Sequence, residues 1–545
     1  MTGAEVFAKE LRRRGVQFVA TLCGHGMDPL DNAMEQAGIR LVDVRNEQAA
    51  GYIADATGRL SRRVGVCAVS SGVAHVNAMA GVANAHFDGS PMLLVTGCGP
   101  NETMGLGHFQ DFDQLAIARS LCKYAKLIDR PERIQQYLHE AFSAAMAGRP
   151  GPVHLTFPLD VQEAEVSIGA VQIHRPVSEP ECLPGPLEIN RIASMLEESE
   201  HPLIVAGSGL YYDKGERALE GFSTTFDVPV VVPIWDRGSI PQPMDTFMGV
   251  LGAATGGPDL LADADLILML GARCDYRLGY FQQPDISDHA AIVRVDADVN
   301  ELDQGTGAHV TVHASPRAFL SDLRTICEGF VPPKIDWMAD ARNRRDTFRK
   351  RVLSAKRPKD GCHALDVVEA IGKVMTPDTT LVIDGGNIGQ WAHQVLCDRY
   401  PGHWLTCGAS GVVGYGIPAA MAARLLDPER PVILLSGDGA STFTIAELET
   451  SARQGIPFVM VLADDEAWGI TLTGHEKKYG RGMTSELGSI DFVMLARSLG
   501  ALGVRVDSPE GIEPAIREAL NAPHPTVIHV PIVKGNPGSL AQQGA

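Results

Sequence analysis

The feature that most limits the fold is the alternation of short apolar runs with helix-length segments along the whole chain. Runs at 63–69, 266–270 and 432–435 are rich in valine, leucine and isoleucine, and a helical pattern follows most of them. This alternation is typical of α/β proteins, in which helices cover a parallel sheet. A chain of 545 residues is too long for one core. We therefore predict an α/β protein of three consecutive domains, each with a central parallel sheet flanked by helices.

Two segments without strand or core-helix character mark the domain limits. Residues 174–186 contain four prolines, which disfavour a helix interior or a central strand, so this stretch is predicted to be a linker. Charged residues crowd 334–359, which predicts a helix followed by a second linker. The predicted domains are 1–172, 187–330 and 360–535.

The charge balance and the cysteine pattern exclude several kinds of protein. Lysine and arginine number 47 against 66 acidic residues, a net charge of −19, which argues against nucleic acid or an anionic membrane as partner. Ten cysteines without a Cys-x-x-Cys pair indicate neither a disulfide framework nor structural zinc. The basic stretch 4–15 lacks the apolar core of a signal peptide, and no apolar run approaches the about twenty residues of a membrane span. We expect a cytoplasmic protein.

The strongest chemical signal lies in the third predicted domain. The apolar run 432–435 leads into Ser-Gly-Asp-Gly at 436–439, and the run 458–462 leads into Asp-Asp-Glu-Ala at 464–467. Glycines let the backbone approach an anion, and an aspartate at a strand end can bind a hard cation. A strand–helix–strand unit brings both strand ends to one edge of a parallel sheet. Together the two halves predict a site for a phosphate group and a divalent cation.

These motifs resemble those of the thiamine-diphosphate-dependent enzymes, in which Gly-Asp-Gly is followed at this distance by two asparagines. The resemblance implies that Asp438, Asp465 and the carbonyl of Ala467 bind Mg²⁺, which bridges to the diphosphate of the cofactor. The family's asparagine pair is Asp464-Asp465 here. The added negative charge predicts that cofactor binding depends strongly on the metal. By the same resemblance, further cofactor contacts come from Gly386, Asn387, Ile388, Gly437, Gly439 and Ala440.

The first predicted domain carries the motifs that the family uses for cofactor activation. The run 39–44 precedes Arg-Asn-Glu-Gln-Ala-Ala at 45–50, which is similar to the family's Arg-x-Glu-x-x-Ala. This implies that Glu47 contacts ring nitrogen N1′ of the aminopyrimidine and so activates the thiazolium C2. The segments 70–77, with Asn77 as a cofactor contact, and 88–91 also match, as does the loop at 108–114. The match at this loop implies that Gln110 reaches the reacting carbon from the neighbouring subunit's side.

Two further groups complete the predicted site. The resemblance at 408–416 implies that the Gly411 carbonyl accepts from the 4′-amino group and that Val413 supports the bent cofactor, where relatives carry a larger methionine or leucine. His25 is the predicted acid–base residue, with His75 and His108 as alternatives; from the residues alone, a structural role is at least as good an explanation for each.

The resemblance covers nearly the whole chain in the order pyrimidine-binding, central and diphosphate-binding domain. Because the glutamate and the metal ligands lie on different domains, the family places the cofactor between two chains, which implies at least a homodimer; we expect a homotetramer. Some relatives bind FAD or ADP in the central domain. Only Gly-Ala-Arg at 271–273 is similar to their site, and neither nucleotide is predicted.

The segments resemble both acetolactate synthase and benzaldehyde lyase. The leading expectation is a lyase or carboligase like acetolactate synthase, acting on a 2-oxo acid by decarboxylation with or without carboligation. One alternative is a lyase of 2-hydroxyacyl-CoA or of hydroxyketones that releases no carbon dioxide. A remote alternative is a catalytically silent cofactor-binding homologue.

Overall fold

Three six-stranded sheets follow one another along the chain, and every pair of adjacent strands is parallel. The computed structural model describes residues 1–166, 181–236, 240, 243–252, 257–282, 285–305, 307–329, 335–396 and 402–535. Helices flank each sheet, which confirms the predicted fold class. Most of the linker predicted at 174–186 lies outside the described residues. Each sheet falls within one predicted domain, and the domain limits stay predictions.

The first sheet has the strand order β2-β1-β3-β4-β6-β5. Its strands are β1 (Phe18–Leu22), β2 (Arg40–Asp43), β3 (Gly65–Val69), β4 (Met92–Cys98), β5 (Tyr124–Leu127) and β6 (Pro152–Pro158). Its helices are α1 (Gly3–Arg13), α2 (Asp28–Gln36), α3 (Glu47–Ser61), α4 (Val73–Asp88), α5 (Gln114–Ala118), α6 (Ile134–Met146) and α7 (Leu159–Glu163). A capping box between Thr2 and Glu5 fixes the start of α1.

The central sheet has the order β12-β11-β10-β7-β8-β9. Its strands are β7 (Pro202–Ala206), β8 (Val230–Pro233), β9 (Phe247–Leu251), β10 (Leu266–Leu270), β11 (Ala291–Asp296) and β12 (Val310–His313). Its helices are α8 (Pro186–Glu198), α9 (Ser208–Tyr212), α10 (Glu216–Thr225), α11 (Val299–Leu302) and α12 (Pro316–Ile326). The middle strands are apolar along their whole length because helices cover both faces of the sheet.

The third sheet repeats the relative strand order of the first, as β14-β13-β15-β16-β18-β17. Its strands are β13 (Thr380–Asp384), β14 (His403–Thr406), β15 (Val432–Gly437), β16 (Val459–Asp464), β17 (Leu502–Arg505) and β18 (Thr526–Pro531). The charged helix α13 (Ile335–Leu353) precedes it, as predicted from the charge-rich segment. The helices that follow are α14 (Ala364–Val374), α15 (Gly386–Val395), α16 (Gly416–Leu426), α17 (Asp438–Thr442), α18 (Glu447–Gln454), α19 (Gly469–Tyr479), α20 (Phe492–Ser498) and α21 (Pro509–Ala519).

Both faces of the third sheet pack into cores that it shares with a neighbouring sheet. One face and α16 pack against α3 of the first sheet, where the rings of Tyr52 and Tyr415 meet edge to face with centroids 5.6 Å apart. The other face joins a core with residues of the central sheet and α13. The first and third domains are therefore joined by a shared core in which α3 packs against α16. No helix of the described residues is both long and apolar enough to cross a bilayer.

Candidate active site

A cavity of about 250 Å³ lies where β13, β15 and β16 end. In a doubly wound parallel sheet, ligands bind at the carboxyl ends of the strands. All the residues predicted to bind the cofactor or the metal, apart from Asn77, line this cavity: Gly386, Asn387, Ile388, Gly411, Val413, Gly437, Asp438, Gly439, Ala440, Asp465 and Ala467. The structure thus brings together motifs that lie far apart along the third domain.

Three helices begin at the cavity. The first residues of α15, α17 and α19 all line it. The backbone amides of a helix's first turn lack partners within the helix, and the helix dipole adds a partial positive charge there. Three such ends aimed at one space form a site that suits a strongly anionic group such as a diphosphate.

Two buried carboxylates, those of Asp438 and Asp465, line the same space. Burial, together with the neighbouring carboxylates of Asp464 and Asp465, raises the pKa of Asp438 to about 7, and burial also raises the pKa of Asp465. Asp464 is not part of the lining, because its Oδ2 lies 2.8 Å from His529 Nε2 and its Oδ1 accepts from the Glu466 amide. A bound cation would supply the positive charge that these carboxylates lack.

The remaining donor atoms fit a hard cation that also binds a ligand oxygen. Asn387 Nδ2 donates to Asp465 Oδ2 and to the Gly535 carbonyl, both at 2.9 Å, and the buried Asn387 Oδ1 has no partner among the described residues. Within the described ranges, no three histidine, cysteine or acidic side chains form a metal cluster. A cation here would need backbone and ligand oxygens besides the two carboxylates, which matches a diphosphate-bridged metal.

Glycine is required beside these side chains. A Cβ atom at Gly469 would lie 2.6 Å from Asn387 Nδ2 and 2.8 Å from Asp465 Oδ2. Any larger residue at the start of α19 would therefore displace the two side chains at the proposed metal position.

Glu47 and Asn77 form a second group that does not line the cavity. Asn77 Nδ2 donates to Glu47 Oε2 at 2.9 Å, so the first residue of α3 is oriented by a side chain of α4. The anchor of this turn is Glu447, a residue that no sequence motif predicted. Its buried carboxylate accepts from the Arg45 amide at 2.9 Å and from Thr450 Oγ1 at 2.7 Å. The first residue of α18 in the third domain thus fixes the approach to Glu47.

The loop after β4 places Gln110 beside the start of α4. Ser71 Oγ donates to Gln110 Oε1 at 2.8 Å, and Gln110 has a left-handed backbone with φ +58°. Gly72, at φ +64°, permits this approach, since a Cβ atom there would lie 2.5 Å from Gln110 Cβ. His25 is exposed after β1, and its ring meets that of Phe109 edge to face at 5.5 Å. The structure therefore groups the predicted residues Gln110 and His25 through one loop.

The buried amide of Gln114 secures this loop. Its Oε1 accepts from the Gly72 amide at 3.0 Å, and its Nε2 donates to the Gly97 carbonyl at 3.2 Å. Replacing Gln114 with alanine leaves both backbone groups unpaired, so we expect the free energy of unfolding to fall by about 1–3 kcal/mol. Urea denaturation of Gln114→Ala, with the exposed Gln17→Ala as control, measures this loss. Equal midpoints for the two variants would contradict the anchoring role.

Asp88, in the segment 88–91 that matches the family, connects the first domain to the segment that follows β14. Its Oδ1 accepts from the Ala409 amide at 2.7 Å, and its Oδ2 lies 2.9 Å from a guanidinium nitrogen of the buried Arg59. Arg59 in turn donates to the Thr406 carbonyl at 3.0 Å. The first domain therefore positions the loop that carries Gly411 and Val413 into the cavity.

The two alternative histidines have partners within the protein. His75 is fully buried and shares the Thr96 hydroxyl with His154, each ring nitrogen lying 3.0 Å from Thr96 Oγ1. Burial lowers the pKa of His75 to about 4 and that of His154 well below its ordinary value. His108 Nε2 lies 3.3 Å from Asp111 Oδ1. Of the three candidates, His25 is the exposed one.

Comparison with known proteins agrees with this arrangement. Three models of the thiamine pyrophosphate (thiamine diphosphate) enzymes match in order: the N-terminal TPP binding domain at 1–117, the central domain at 189–323 and the C-terminal TPP binding domain at 384–530.

Among curated proteins, the chain is 28% identical to a probable acetolactate synthase large subunit of Methanocaldococcus jannaschii, over 98% of this chain and 92% of that one. It is also 28% identical to the acetolactate synthase isozyme 1 large subunit of Escherichia coli K12, over 97% and 94% of the two chains. Together with the cavity, these matches leave one assignment: the chain belongs to the thiamine pyrophosphate enzyme family and is a thiamine-diphosphate-dependent enzyme.

Proposed function

We propose that the protein acts on a 2-oxo acid, releasing carbon dioxide and, when a second carbonyl compound is present, joining the remaining fragment to it. The observation that carries this proposal is the cavity with two buried carboxylates and three converging helix starts. Similarity to acetolactate synthase large subunits over nearly the full length supports the choice of a 2-oxo acid as donor.

In this proposal, the cavity binds Mg²⁺ and the diphosphate end of the cofactor. Asp438, Asp465 and the Ala467 carbonyl are the protein ligands of the cation, and oxygen donors of this kind suit Mg²⁺. Amides at the starts of α15, α17 and α19 donate to the diphosphate oxygens. Asn387 Oδ1 is free to contact the ligand shell of the cation.

The other predicted residues orient groups and move protons. When bound, the cofactor supplies an electron sink for breaking a bond next to a carbonyl. Glu47, held by Asn77, contacts the pyrimidine ring nitrogen, while the Gly411 carbonyl and the Val413 side chain keep the pyrimidine in place. Gln110 and His25 lie on one loop cluster, where the Gln110 carboxamide hydrogen-bonds to the substrate and the His25 ring donates or accepts a proton.

A second copy of the chain is proposed to complete each site. The surface around Glu47 and Gln110 carries large apolar side chains that are exposed in the single chain: Val73 (64% exposed), Val76 (50%), Leu106 (77%) and Phe109 (66%). An apolar patch of this kind is typical of a protein interface. We infer at least a homodimer, in which this surface of one copy covers the cavity of the other, and a homotetramer as the full assembly.

The test uses the enzyme loaded with thiamine diphosphate and Mg²⁺. We expect it to release ¹³CO₂ from [1-¹³C]pyruvate or [1-¹³C]2-oxobutanoate, and mass spectrometry with an added 2-oxo acid or aldehyde will detect a joined product. Cleavage of benzoin or of a 2-hydroxyacyl-CoA without carbon dioxide would instead establish a lyase. Bound cofactor without turnover of either substrate class would contradict the proposal and favour a silent homologue.

A further inference from the structure

A large cleft lies at the end of the first sheet that is remote from the predicted catalytic loops. Its volume is about 950 Å³, and it lies between the last turns of α1 and α3 and one side of α6, where β1 and β3 begin. Glu47 and Gln110 follow the carboxyl ends of β2 and β4. Because all strands of this sheet are parallel, the cleft opens at the opposite edge from those residues.

The lining of this cleft is strongly basic in an acidic protein. Arg13, Arg14, Arg62 and Arg63 line it, and among the described residues no aspartate or glutamate does. Behind the lining, Glu10 pairs with Arg13 and Arg14, and Glu216 pairs with Arg62. Four guanidinium groups thus meet two carboxylates, which leaves an excess of positive charge in a chain whose net charge is −19. Such a local excess attracts anions.

Arg63 differs from the other three arginines of the lining, which are paired with Glu10 or Glu216. The Arg63 side chain is exposed and makes no hydrogen bond or ion pair within the described part of the chain. Its Nη1 lies close to Gly15, 3.4 Å from where a Cβ atom would stand, so the guanidinium reaches the segment that follows α1. An exposed guanidinium fork at this position suits a phosphate or a carboxylate.

The inner wall of the cleft is apolar. Phe18 and Val66 lie at its base, and Phe142 and Met146 of α6 form one side. The Arg14 guanidinium lies over the Phe142 ring, 4.7 Å from its centroid. A ligand can therefore place an apolar or aromatic body against α6 while its anionic group contacts the arginines, a combination typical of small-molecule sites of this size.

From this geometry, we propose that the cleft binds a small organic anion, with a phosphate or carboxylate group on Arg63, Arg13 and Arg14 and an apolar body against Phe142 and Met146. The site is separate from the cofactor cavity, and neither the metal nor the diphosphate site contributes to it. Arg62 pairs with Glu216 and lies over the Tyr211 ring, both in the central domain. It therefore lines the cleft, but it is not proposed to contact the bound anion.

The test is calorimetric titration of the enzyme with 1-naphthyl phosphate, 1-naphthoate, 1-naphthol and inorganic phosphate. Saturating thiamine diphosphate and Mg²⁺ are present throughout, so the cofactor cavity is closed to these probes. We expect one site per chain for at least one naphthyl anion, and binding at least about tenfold weaker for 1-naphthol and for inorganic phosphate. The tighter of the two naphthyl anions identifies the anionic group.

Arg63→Gln is the deciding variant, and Arg12→Gln is its matched control. Arg12 is exposed on the same turn of α1 as Arg13 but does not line the cleft. We expect Arg63→Gln to weaken binding of the naphthyl anion at least about tenfold and Arg12→Gln to leave it unchanged. Equal losses in the two variants, equal affinity for 1-naphthol, or absence of binding would each overturn the proposal. Unchanged thermal midpoints will show that both variants fold.

Discussion

Replacing Glu47 with glutamine is expected to lower kcat by about 10²- to 10⁴-fold while the protein still folds and binds the cofactor. Glutamine keeps the size of the side chain and can keep the contact with Asn77, but it carries no negative charge to favour a protonated pyrimidine nitrogen. Two measurements are needed: the steady-state rate with a 2-oxo acid, and the rate at which the thiazolium C2 proton exchanges with deuterium.

The matched control for this variant is Glu188→Gln. Glu188 is also a first-turn glutamate, but it is exposed at the start of α8 in the central domain. We expect its kcat and exchange rate to equal those of the unmodified protein. If Glu47→Gln exchanged the proton at the unmodified rate, Glu47 would have no part in cofactor activation.

Replacing Asp438 with alanine is expected to weaken thiamine diphosphate binding at least about 100-fold in the presence of Mg²⁺. Removing Mg²⁺ from the unmodified protein should cause a comparable loss, because two buried carboxylates then face an anionic ligand without a cation between them. Calorimetric titration with and without EDTA measures both effects. Asp427→Ala, which changes a half-buried carboxylate at the end of α16, serves as the control.

Replacing Asp465 with asparagine removes the negative charge at this position but keeps a side-chain oxygen donor. The amide removes one negative charge from the cavity, so we expect a smaller ratio of cofactor affinities with and without Mg²⁺ than in the unmodified protein. Equal cofactor affinity with and without Mg²⁺ in the unmodified protein would refute the metal dependence that the Asp464-Asp465 pair predicts.

Mixing the two inactive variants tests the shared site. Suppose that Glu47 of one copy acts at the cavity of the other. A mixed dimer of Glu47→Gln and Asp438→Ala chains then has one site with both native residues, because each chain supplies the residue that the other lacks. Activity should return when the two variants exchange subunits. Mixtures that exchange subunits, as mass spectrometry will show, yet stay inactive would place both residues of each site in one chain.

The sequence predicts the interior of each sheet better than its edges. Apolar runs mark the central strands, such as β10 and β15, because these strands are buried on both faces. Five of the six edge strands have no such prediction: β5, β9, β12, β14 and β17. Four of them are four-residue strands that mix polar and apolar side chains, as in Tyr124–Leu127, and β9 carries an internal glycine beside an irregular register. A strand that pairs on one side alone needs no continuous apolar run.

The cavity could be predicted because its residues follow one another at strand ends. The parallel topology then brings those ends together without further information. The supporting residues could not be found in this way. Glu447 acts on the Arg45 amide, Asp88 acts on the Ala409 amide, and Gln114 joins two glycines. Each of these contacts joins segments that are not consecutive strand ends, and a single sequence gives no signal for the pairing.

The shared cores have a consequence for how the chain loses its structure. Neither face of the third sheet forms a separate core. One face packs in a core shared with the first sheet, and the other packs in a core shared with the central sheet. Unfolding the third sheet would uncover apolar surface on both neighbours, whereas the first and central sheets each keep a separate cluster. We therefore expect the diphosphate-binding domain to be the least stable of the three domains as an excised fragment. Its unfolding should unfold the other two domains cooperatively.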